Sequence, residues 1–370
     1  MIRVLHLIKS LGRGGAEMLL PETLRVHDRE RYDFRYAYFL PHKGQVAEDL
    51  RALGAEVDLF AATTTPGILA QSLALQRYVR RHRIDIIHCH LPIAGVTGRI
   101  VSKLTGIPVV YTEHNKQERY HTLTRRLNLA TMPWNQRVIA CSNDVLASIN
   151  QHVSLGRERV QSLQNGVNTA RFALHDFPRT RVRAQLELPA EKIIVGTVCV
   201  FRTQKRLHHW LTLAERLYRS NPNLRFVLVG DGPQEEQIRA QVRQAGMEQV
   251  ISFPGRISEV RPWLAAMDVY LMTSEFEGLP IAMLEAMSME LPVVATRAGG
   301  IGEAITDGEN GFLAEVEDWQ ALQAPLERLI DDEALRRQIG QAARTQVQRN
   351  FSVQRMAREL EGIYDQVILL

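Results

Sequence analysis

Two glutamates, Glu277 and Glu285, stand eight positions apart around a predicted turn and helix start. Gly278 permits a tight turn and Pro280 suits a first helical turn, so we expect a helix to begin near Leu279. The unpaired backbone N–H groups of such a helix start favour a phosphate. The two carboxylates, roughly 12 Å apart at the helical rise per residue, can accept hydrogen bonds from hydroxyls at both ends of an elongated ligand. On spacing alone, a turn residue and a solvent-exposed helix carboxylate are the commoner arrangement.

Cationic and imidazole side chains follow other predicted strands. Arg202 and Lys205 stand three residues apart behind an apolar run at 193–199, where two cations can neutralise the charge of a departing diphosphate. His114 follows the apolar run 109–112, and open α/β sheets bind ligands at the carboxyl ends of their strands. These three side chains are therefore candidates for a ligand site.

A glycine pair and a second group of histidines complete the set of candidates. Gly14 and Gly15 follow the first predicted strand and open a helix, so a diphosphate or an acceptor can approach the backbone there, although such a pair is more often structural. His88 and His90 flank Cys89 at another strand end; we expect His88 to pack, and His90 is a candidate to contact an acceptor. The histidines come from different strands without an accompanying carboxylate pattern, so we expect no metal and no cofactor.

The elements that position these residues alternate between short apolar runs and amphipathic stretches, which indicates parallel sheets covered by helices. A charged segment with two prolines, 172–190, interrupts the alternation and reads as a linker with a short helix. A lone amphipathic helix follows at 353–370 and needs a partner surface. The predicted strands are 3–8, 34–39, 56–59, 84–88, 109–112, 137–140, 193–199, 224–229, 250–253, 269–272 and 292–295, and the predicted helices include 15–26, 44–53, 69–82, 207–220, 234–245 and 284–289.

Charge and cysteine usage limit the class of protein. Residues 1–170 hold 22 Lys and Arg against 14 Asp and Glu, so an anionic partner of the first half competes with a chance imbalance of the surface. We expect no nucleic-acid partner, because no basic and aromatic recognition module is present. The three scattered cysteines favour a reduced cytoplasm, and no apolar run is long enough to span a bilayer. The chain is therefore expected in the cytoplasm, with at most a peripheral contact with an anionic membrane.

The segment 277–287, EGLPIAMLEAM, resembles the E-x7-E signature of retaining glycosyltransferases, in particular the family-four group also called glycosyl transferases group one, whose usual form is E-G-x-P-x-x-x-x-E-A-M. Further matches stand in the family's order over nearly the whole chain. They are Gly14-Gly15-Ala16-Glu17, Thr112-Glu113-His114, Asn165-Gly166-Val167-Asn168, Lys205, Gly230-Asp231-Gly232-Pro233, and Gly299-Gly300 with Glu303. Each motif is weak alone, and their ordered combination is specific for the superfamily but not for a substrate.

The resemblance implies a GT-B fold, in which two Rossmann-like doubly wound α/β domains face a central cleft. Residues 1–175 would bind the acceptor, residues 176–352 would bind the nucleotide-sugar, and the helix 353–370 would cross back to the first domain.

The resemblance also implies the roles of the site residues. Glu277 would hold the sugar, Glu285 the ribose and Lys205 the pyrophosphate, and His114 would lie beside the transferred sugar. The remaining donor contacts would be Gly15, Arg202, Gly278, Leu279 and Ile281, and Gly14 and His90 would contact the acceptor. The family's arginine is replaced here by Val200, and Arg202 is the candidate to take over its role at a different offset.

The implied reaction transfers a sugar from a UDP- or GDP-sugar to a hydroxyl of a sugar or lipid-linked sugar acceptor, with retention at the anomeric carbon. The basic first half favours an acceptor with a lipid diphosphate at the membrane surface, as in the assembly of cell-surface polysaccharides or glycolipids. A nucleotide-sugar epimerase, a sugar phosphorylase on the same fold, and a non-catalytic nucleotide-sugar-binding module are the alternatives.

Overall fold

The computed structural model describes residues 1–369 and contains two compact units. The first unit comprises Met1–Gly166 together with the chain from Val353 onward, and the second comprises Val167–Ser352. The first unit therefore ends before the predicted boundary at residue 175. The reason is local: the backbone N–H of Val167 donates to the carbonyl of Phe351 at 2.8 Å, and Val167 pairs with Ser352.

The first unit contains a seven-stranded sheet in which every pairing is parallel, in the order β3-β2-β1-β4-β5-β6-β7. The strands of a parallel sheet covered on both faces are buried, and β4 and β5 are buried at every position. The strands are β1 (Ile2–Ile8), β2 (Tyr32–Tyr38), β3 (Glu56–Leu59), β4 (Ile86–His90), β5 (Val109–Glu113), β6 (Arg137–Ala140) and β7 (Val160–Ser162).

Seven α-helices follow the strands of this sheet. The predicted helix 69–82 is divided in two. The first part, α3, begins earlier, where the side chain of Thr64 accepts a hydrogen bond from the backbone N–H of Gly67, and it ends at Ala70. The helices are α1 (Gly15–Leu24), α2 (Gln45–Ala52), α3 (Thr65–Ala70), α4 (Ser72–Arg81), α5 (Pro92–Thr105), α6 (Thr122–Thr131) and α7 (Asn143–His152).

The second unit contains a six-stranded parallel sheet in the order β10-β9-β8-β11-β12-β13. Its strands are β8 (Ile193–Val198), β9 (Leu224–Val229), β10 (Ile251–Gly255), β11 (Val269–Met272), β12 (Val293–Thr296) and β13 (Phe312–Ala314). Its helices are α8 (Arg179–Gln185), α9 (Leu207–Ser220), α10 (Glu235–Gln244), α11 (Arg261–Ala266), α12 (Ile281–Ser288), α13 (Ile301–Ala304), α14 (Gln323–Asp331) and α15 (Glu333–Asn350). The short strands β7 and β13 were not among the predicted ones.

The last helix, α16 (Val353–Ile368), packs on the first unit. The ring of His27 lies 2.7 Å from the Glu361 carboxylate, and the Tyr32 hydroxyl donates to Asp365 at 2.6 Å. The amphipathic helix therefore has its partner surface beside β2 and the end of α1. The last residue of the predicted helix, 370, lies outside the described residues.

Within residues 1–369, every helix is too short or too polar to cross a bilayer. Of the three cysteines, Cys89 and Cys141 are buried and Cys199 is partly buried.

Candidate functional site

Glu277 and Lys205 form a partly buried ion pair in the second unit. Glu277 lies on the segment between β11 and α12, and its carboxylate accepts hydrogen bonds from the Lys205 ammonium at 2.5 Å and from the Ser274 hydroxyl at 2.6 Å. The two side chains of the pair are only 16% and 8% exposed, so solvent screens their attraction weakly. The structure thus brings together two residues that are 72 positions apart and were both predicted at the site.

The charge on Lys205 is maintained by this pairing. Burial alone would lower the pKa of the Lys205 ammonium, but the neighbouring Glu277 carboxylate and Cys199 together outweigh burial and raise it. Cys199 lies close by, and burial raises the pKa of its thiol to about 12. At neutral pH Lys205 therefore remains a cation and the Cys199 thiol remains uncharged.

The backbone around Lys205 is fixed by hydrogen bonds to the end of β11. A short 3-10 turn covers Thr203–Lys205, and Arg206 then adopts a left-handed conformation with φ 44° before α9 begins. The Thr273 hydroxyl lies 3.1 Å from the carbonyl oxygens of both Lys205 and Arg206, and the backbone N–H of Glu275 donates to the carbonyl of Gln204 at 2.8 Å. These contacts hold the lysine at the carboxyl ends of two adjacent strands, β8 and β11.

The glycine loop after β9 supports the same segment from the other side. Gly230 has φ +131°, and a Cβ built on it would lie 1.9 Å from the carbonyl oxygen of Cys199. A Cβ on Gly232, with φ +155°, would lie 2.7 Å from the backbone of Phe201. The loop also accepts a hydrogen bond from the Phe201 N–H at the carbonyl of Asp231, 2.8 Å away. Both glycines are required because the two backbones are in direct contact.

We expect Gly230→Ala to destabilise the second unit clearly more than Gly308→Ala. Both residues have positive φ, so both variants acquire backbone strain of about 1–3 kcal/mol. Only the Cβ at position 230 meets another backbone, since that at position 308 has nothing within 4 Å. Thermal unfolding of the two purified variants measures the difference. Equal melting temperatures would contradict the close approach.

The helix that carries Glu285 begins slightly later than predicted, at Ile281 instead of Leu279. Pro280 caps α12 with an extended backbone, which leaves the N–H groups of the first helical turn pointing away from the helix. Leu279 is buried, whereas Ile281 and Glu285 are partly buried. The helix therefore begins where a phosphate site was predicted.

A second glycine pair holds the turn before α12. The carbonyl of Gly278 accepts a hydrogen bond from the N–H of Gly300 at 2.8 Å, and Gly299 has φ +57°. The turn at Gly278 is thus joined to the segment that follows β12, and both glycines of the predicted pair lie next to the Glu277 segment.

A small cavity lies between Lys205 and the first turn of α12. Polar groups reach it from Lys205, Thr273 and Ser274, and Pro280 and Ala282 contribute the helix start. Arg202 is exposed and lines a different cavity, together with His208, Gln234, Gln237 and Gln241. The structure therefore does not place Arg202 beside Lys205 in the first cavity, and its predicted contact with a diphosphate stays a prediction. Val200 is partly buried.

In the first unit, Gly14 and Gly15 begin α1 as predicted. Gly14 caps the helix with an extended backbone, and Gly15 is its first residue. Glu17 lies in the first turn, and its carboxylate accepts a hydrogen bond from the Ser10 hydroxyl at 3.1 Å. Glu17 thus has the position of a helix-start charge, and the predicted contacts of the two glycines with donor and acceptor stay predictions.

Imidazole rings from β1, β4 and the end of β5 form a buried cluster. His6 faces His88 in the strand register, and the His88 ring bonds the Tyr364 hydroxyl at 2.6 Å and the Thr112 hydroxyl at 2.7 Å. His90 lies 2.9 Å from His6 and 3.2 Å from His114, measured between ring nitrogens. His88 therefore packs, and His90, which is 5% exposed, is enclosed by other rings.

Ring nitrogens of His6, His88 and His90 lie within 4.8 Å of one another, and imidazole is a common ligand of transition metals. Five of these six nitrogens already have hydrogen-bond partners in the protein. The sixth, Nε2 of His6, has none among residues 1–369. The described conformation is thus that of a hydrogen-bonded cluster.

Glu113, for which no role was predicted, anchors the loop that carries His114. Its Oε1 accepts from the N–H of His114 at 3.0 Å and from the Tyr120 hydroxyl at 2.5 Å, and its Oε2 accepts from the Tyr111 hydroxyl at 2.7 Å and the Gln117 amide at 2.6 Å. Burial raises the pKa of the Glu113 carboxyl despite these donors, which oppose the shift. In the sequence, the anchoring role of Glu113 is indicated only by its position next to His114.

Comparisons with known proteins agree with this architecture. Residues 14–171 match the model of Glycosyltransferase Family 4, and residues 178–346 match that of Glycosyl transferases group 1. The D-inositol 3-phosphate glycosyltransferase of Arthrobacter sp. (strain FB24) is 30% identical over 296 residues, which cover 74% of this chain and 69% of that protein. The UDP-Gal:alpha-D-GlcNAc-diphosphoundecaprenol alpha-1,3-galactosyltransferase of Escherichia coli is 23% identical over 80% of this chain and 79% of that protein.

Among solved structures, Anabaena Alr3699/HepE in complex with UDP-glucose is similar, with a TM-score of 0.88 and 23% identity over 99% of this chain and 100% of that chain. Together with the two parallel-sheet units, this likeness confirms the predicted GT-B fold.

Proposed function

The chain belongs to the glycosyl transferases group 1 family and is a glycosyltransferase, and on that premise we propose that it transfers a sugar from a nucleotide diphosphate-sugar with retention at the anomeric carbon. The observation that carries the proposal is the Lys205–Glu277 pair beside the start of α12 and its cavity. A cation and a helix N-terminus together suit a diphosphate, and a carboxylate suits sugar hydroxyls.

In this proposal the enzyme acts mainly by positioning its substrates and stabilising charge. Lys205 and the first turn of α12 stabilise the departing diphosphate, Glu277 holds the sugar, and Glu285 holds the ribose. His114 contacts the transferred sugar. The acceptor attacks on the face that the diphosphate leaves, through an oxocarbenium-like state, and the departing phosphate takes the acceptor's proton. No covalent nucleophile is assigned.

We propose that the nucleotide of the donor is UDP. Alr3699/HepE is described in complex with UDP-glucose, and the galactosyltransferase of Escherichia coli uses UDP-Gal by its name. The latter name also includes a diphosphoundecaprenol-linked sugar, which supports a lipid-linked acceptor for this chain and a role in cell-surface polysaccharide or glycolipid assembly.

Slow hydrolysis of an α-linked UDP-sugar tests this function without knowledge of the acceptor. We expect the enzyme to release UDP, and proton NMR to show the α-anomer of the free sugar before mutarotation. The β-anomer as first product would contradict retention. An epimerised nucleotide-sugar without UDP release would indicate an epimerase, and saturable binding without turnover would indicate a binding module.

We further propose that the first unit contacts an anionic membrane at the cytoplasmic face. Its excess of basic residues is accompanied by exposed apolar side chains around α6: Leu123 is 62% exposed, and Trp134 is 42% exposed with the Lys103 ammonium 5.4 Å from its ring centre. Aromatic and basic side chains of this kind anchor proteins at the interface between lipid and water.

We expect the protein to sediment with vesicles that contain anionic lipid at low salt, and to be released at high salt. Leu123→Asp should weaken the binding, whereas Leu59→Asp, which changes an exposed leucine at the opposite edge of the sheet, should not. Equal sedimentation with and without anionic lipid would contradict the contact.

A further inference from the structure

Three histidines of the first unit form a continuous hydrogen-bonded chain. Nδ1 of His6 lies 2.9 Å from Nε2 of His90, and Nδ1 of His90 lies 3.2 Å from Nε2 of His114. The strand register produces this arrangement: Ile8 of β1 and Thr112 of β5 both face His90, so His6 and His114 lie two residues away on either side. Both ring nitrogens of His90 are therefore occupied by other imidazoles.

The imidazole rings of these three histidines are neutral. Burial lowers the pKa of His6 to about 3, that of His90 well below its usual value, and that of His114 to about 4. The other titratable side chains around His6 are His27, Tyr36 and His88. A neutral imidazole has one N–H donor and one bare acceptor nitrogen. The proton on His90 therefore determines which nitrogen of both neighbours is protonated, and only two arrangements satisfy both hydrogen bonds.

The two ends of the chain differ, and this difference selects one arrangement. Its inner end, Nε2 of His6, is buried and has no hydrogen-bond partner within residues 1–369, whereas His114 is partly exposed. If each ring donates its N–H toward His114, Nε2 of His6 carries no proton and leaves only an unused acceptor in the interior. In the opposite arrangement an N–H group would be buried without an acceptor, and orphaned donors of that kind are rarer than underused acceptors.

We propose that His6 and His90 are positioning residues that fix the tautomer of His114, so that His114 presents its Nδ1–H as a hydrogen-bond donor to a hydroxyl oxygen of the sugar. His6 donates from Nδ1 to His90, and His90 donates from Nδ1 to His114, whose Nε2 accepts. The contact of His114 with the sugar rests on the proposed function. The tautomer itself does not, because the protein alone determines it.

Nitrogen NMR of histidine-labelled protein tests the tautomer in the absence of substrate. The signals of His114 are assigned by their loss in His114→Gln. We expect Nδ1 of His114 to show the shift of a protonated ring nitrogen and Nε2 that of an unprotonated one. Protonated Nε2 in the unmodified protein would overturn the proposal, whatever the enzyme's activity.

His90→Phe keeps a flat ring but removes both hydrogen bonds, so the Nε2–H tautomer of His114 should become populated. Tyr36→Phe is the matched control, because it removes a buried hydroxyl that has no partner within residues 1–369 from a ring stacked on His6. It should leave the His114 signals unchanged. An unchanged His114 tautomer in His90→Phe would also overturn the proposal.

Kinetics separate this inference from the proposed function. If the tautomer of His114 is altered in His90→Phe, we expect kcat for donor hydrolysis to fall roughly tenfold, because the contribution of one hydrogen bond is lost. The change in KM should be smaller. If the tautomer changes as expected but kcat does not, the chain of hydrogen bonds is correct and the assignment of His114 to the sugar is wrong.

Discussion

Replacing Lys205 with alanine is expected to lower kcat for nucleotide release by roughly 10²–10³-fold, the usual effect of removing one preorganised group that stabilises developing charge. Charge grows on the diphosphate as the glycosidic bond breaks, and Lys205 is the cation that the structure places beside the start of α12. Because its contribution is largest in the transition state, kcat should change more than KM.

The same substitution should destabilise the second unit, since it removes the lysine paired with the Glu277 carboxylate and leaves the hydrogen bond from Ser274 in place. Removing one partner of a buried pair costs about 3–5 kcal/mol. In the double variant Lys205→Ala/Glu277→Gln, much of this stability should return while activity remains low. The two effects can therefore be measured separately, by thermal unfolding and by steady-state kinetics.

Lys192→Ala is the matched control, because it also removes a lysine from the second unit, but one that is only partly buried and is bonded to Asn223. Normal kcat in Lys205→Ala, or a loss of equal size in Lys192→Ala, would contradict the assignment of Lys205 to the leaving group.

Glu285→Ala is expected to raise the Kd for the nucleoside diphosphate by roughly 10–100-fold. A carboxylate that accepts hydrogen bonds from vicinal hydroxyls contributes about 1.5–3 kcal/mol through each charge-assisted bond, and partial solvation of the site reduces that value. Glu285 lies four residues after the start of α12 and is partly buried, so it is fixed on a helix.

Isothermal titration calorimetry with UDP and GDP measures this effect. Glu285→Gln retains an acceptor oxygen without the charge and should give an intermediate affinity. Glu215→Ala removes a carboxylate from an ion pair with Arg219 on α9 and should bind like the unmodified protein. An unchanged Kd in Glu285→Ala would show that this carboxylate does not contact the nucleotide.

The periodicity of the sequence predicted eleven strands that each overlap an observed strand, and four of these, β3, β6, β9 and β11, begin and end where predicted. β7 and β13 are three residues long, and β7 is partly exposed, so neither produces a run of apolar residues that stands out. The break between α3 and α4 at Gln71 was also not predictable from periodicity, because amphipathic residues continue across it.

The candidate site shows the same division between local and non-local information. The helix start near Pro280 follows from local turn chemistry and was predicted to within two residues. The pairing of Lys205 with Glu277 depends on how β8 and β11 neighbour each other in the sheet. The chain from His6 through His90 to His114 depends on the register of three strands, which no local pattern contains. The position of Arg202 depends on the 3-10 turn that follows it, which the spacing of charges does not indicate.

The central claim is that the Lys205–Glu277 pocket processes a nucleotide diphosphate-sugar. Nucleotide release from a panel of UDP-, GDP- and ADP-sugars, measured for the unmodified protein beside Lys205→Ala and Lys192→Ala, tests it most directly. We predict release from at least one sugar, strongest for a UDP-sugar, abolished or severely reduced in Lys205→Ala and retained in Lys192→Ala. Release from none of the donors, or equal release by the unmodified protein and Lys205→Ala, would contradict the claim.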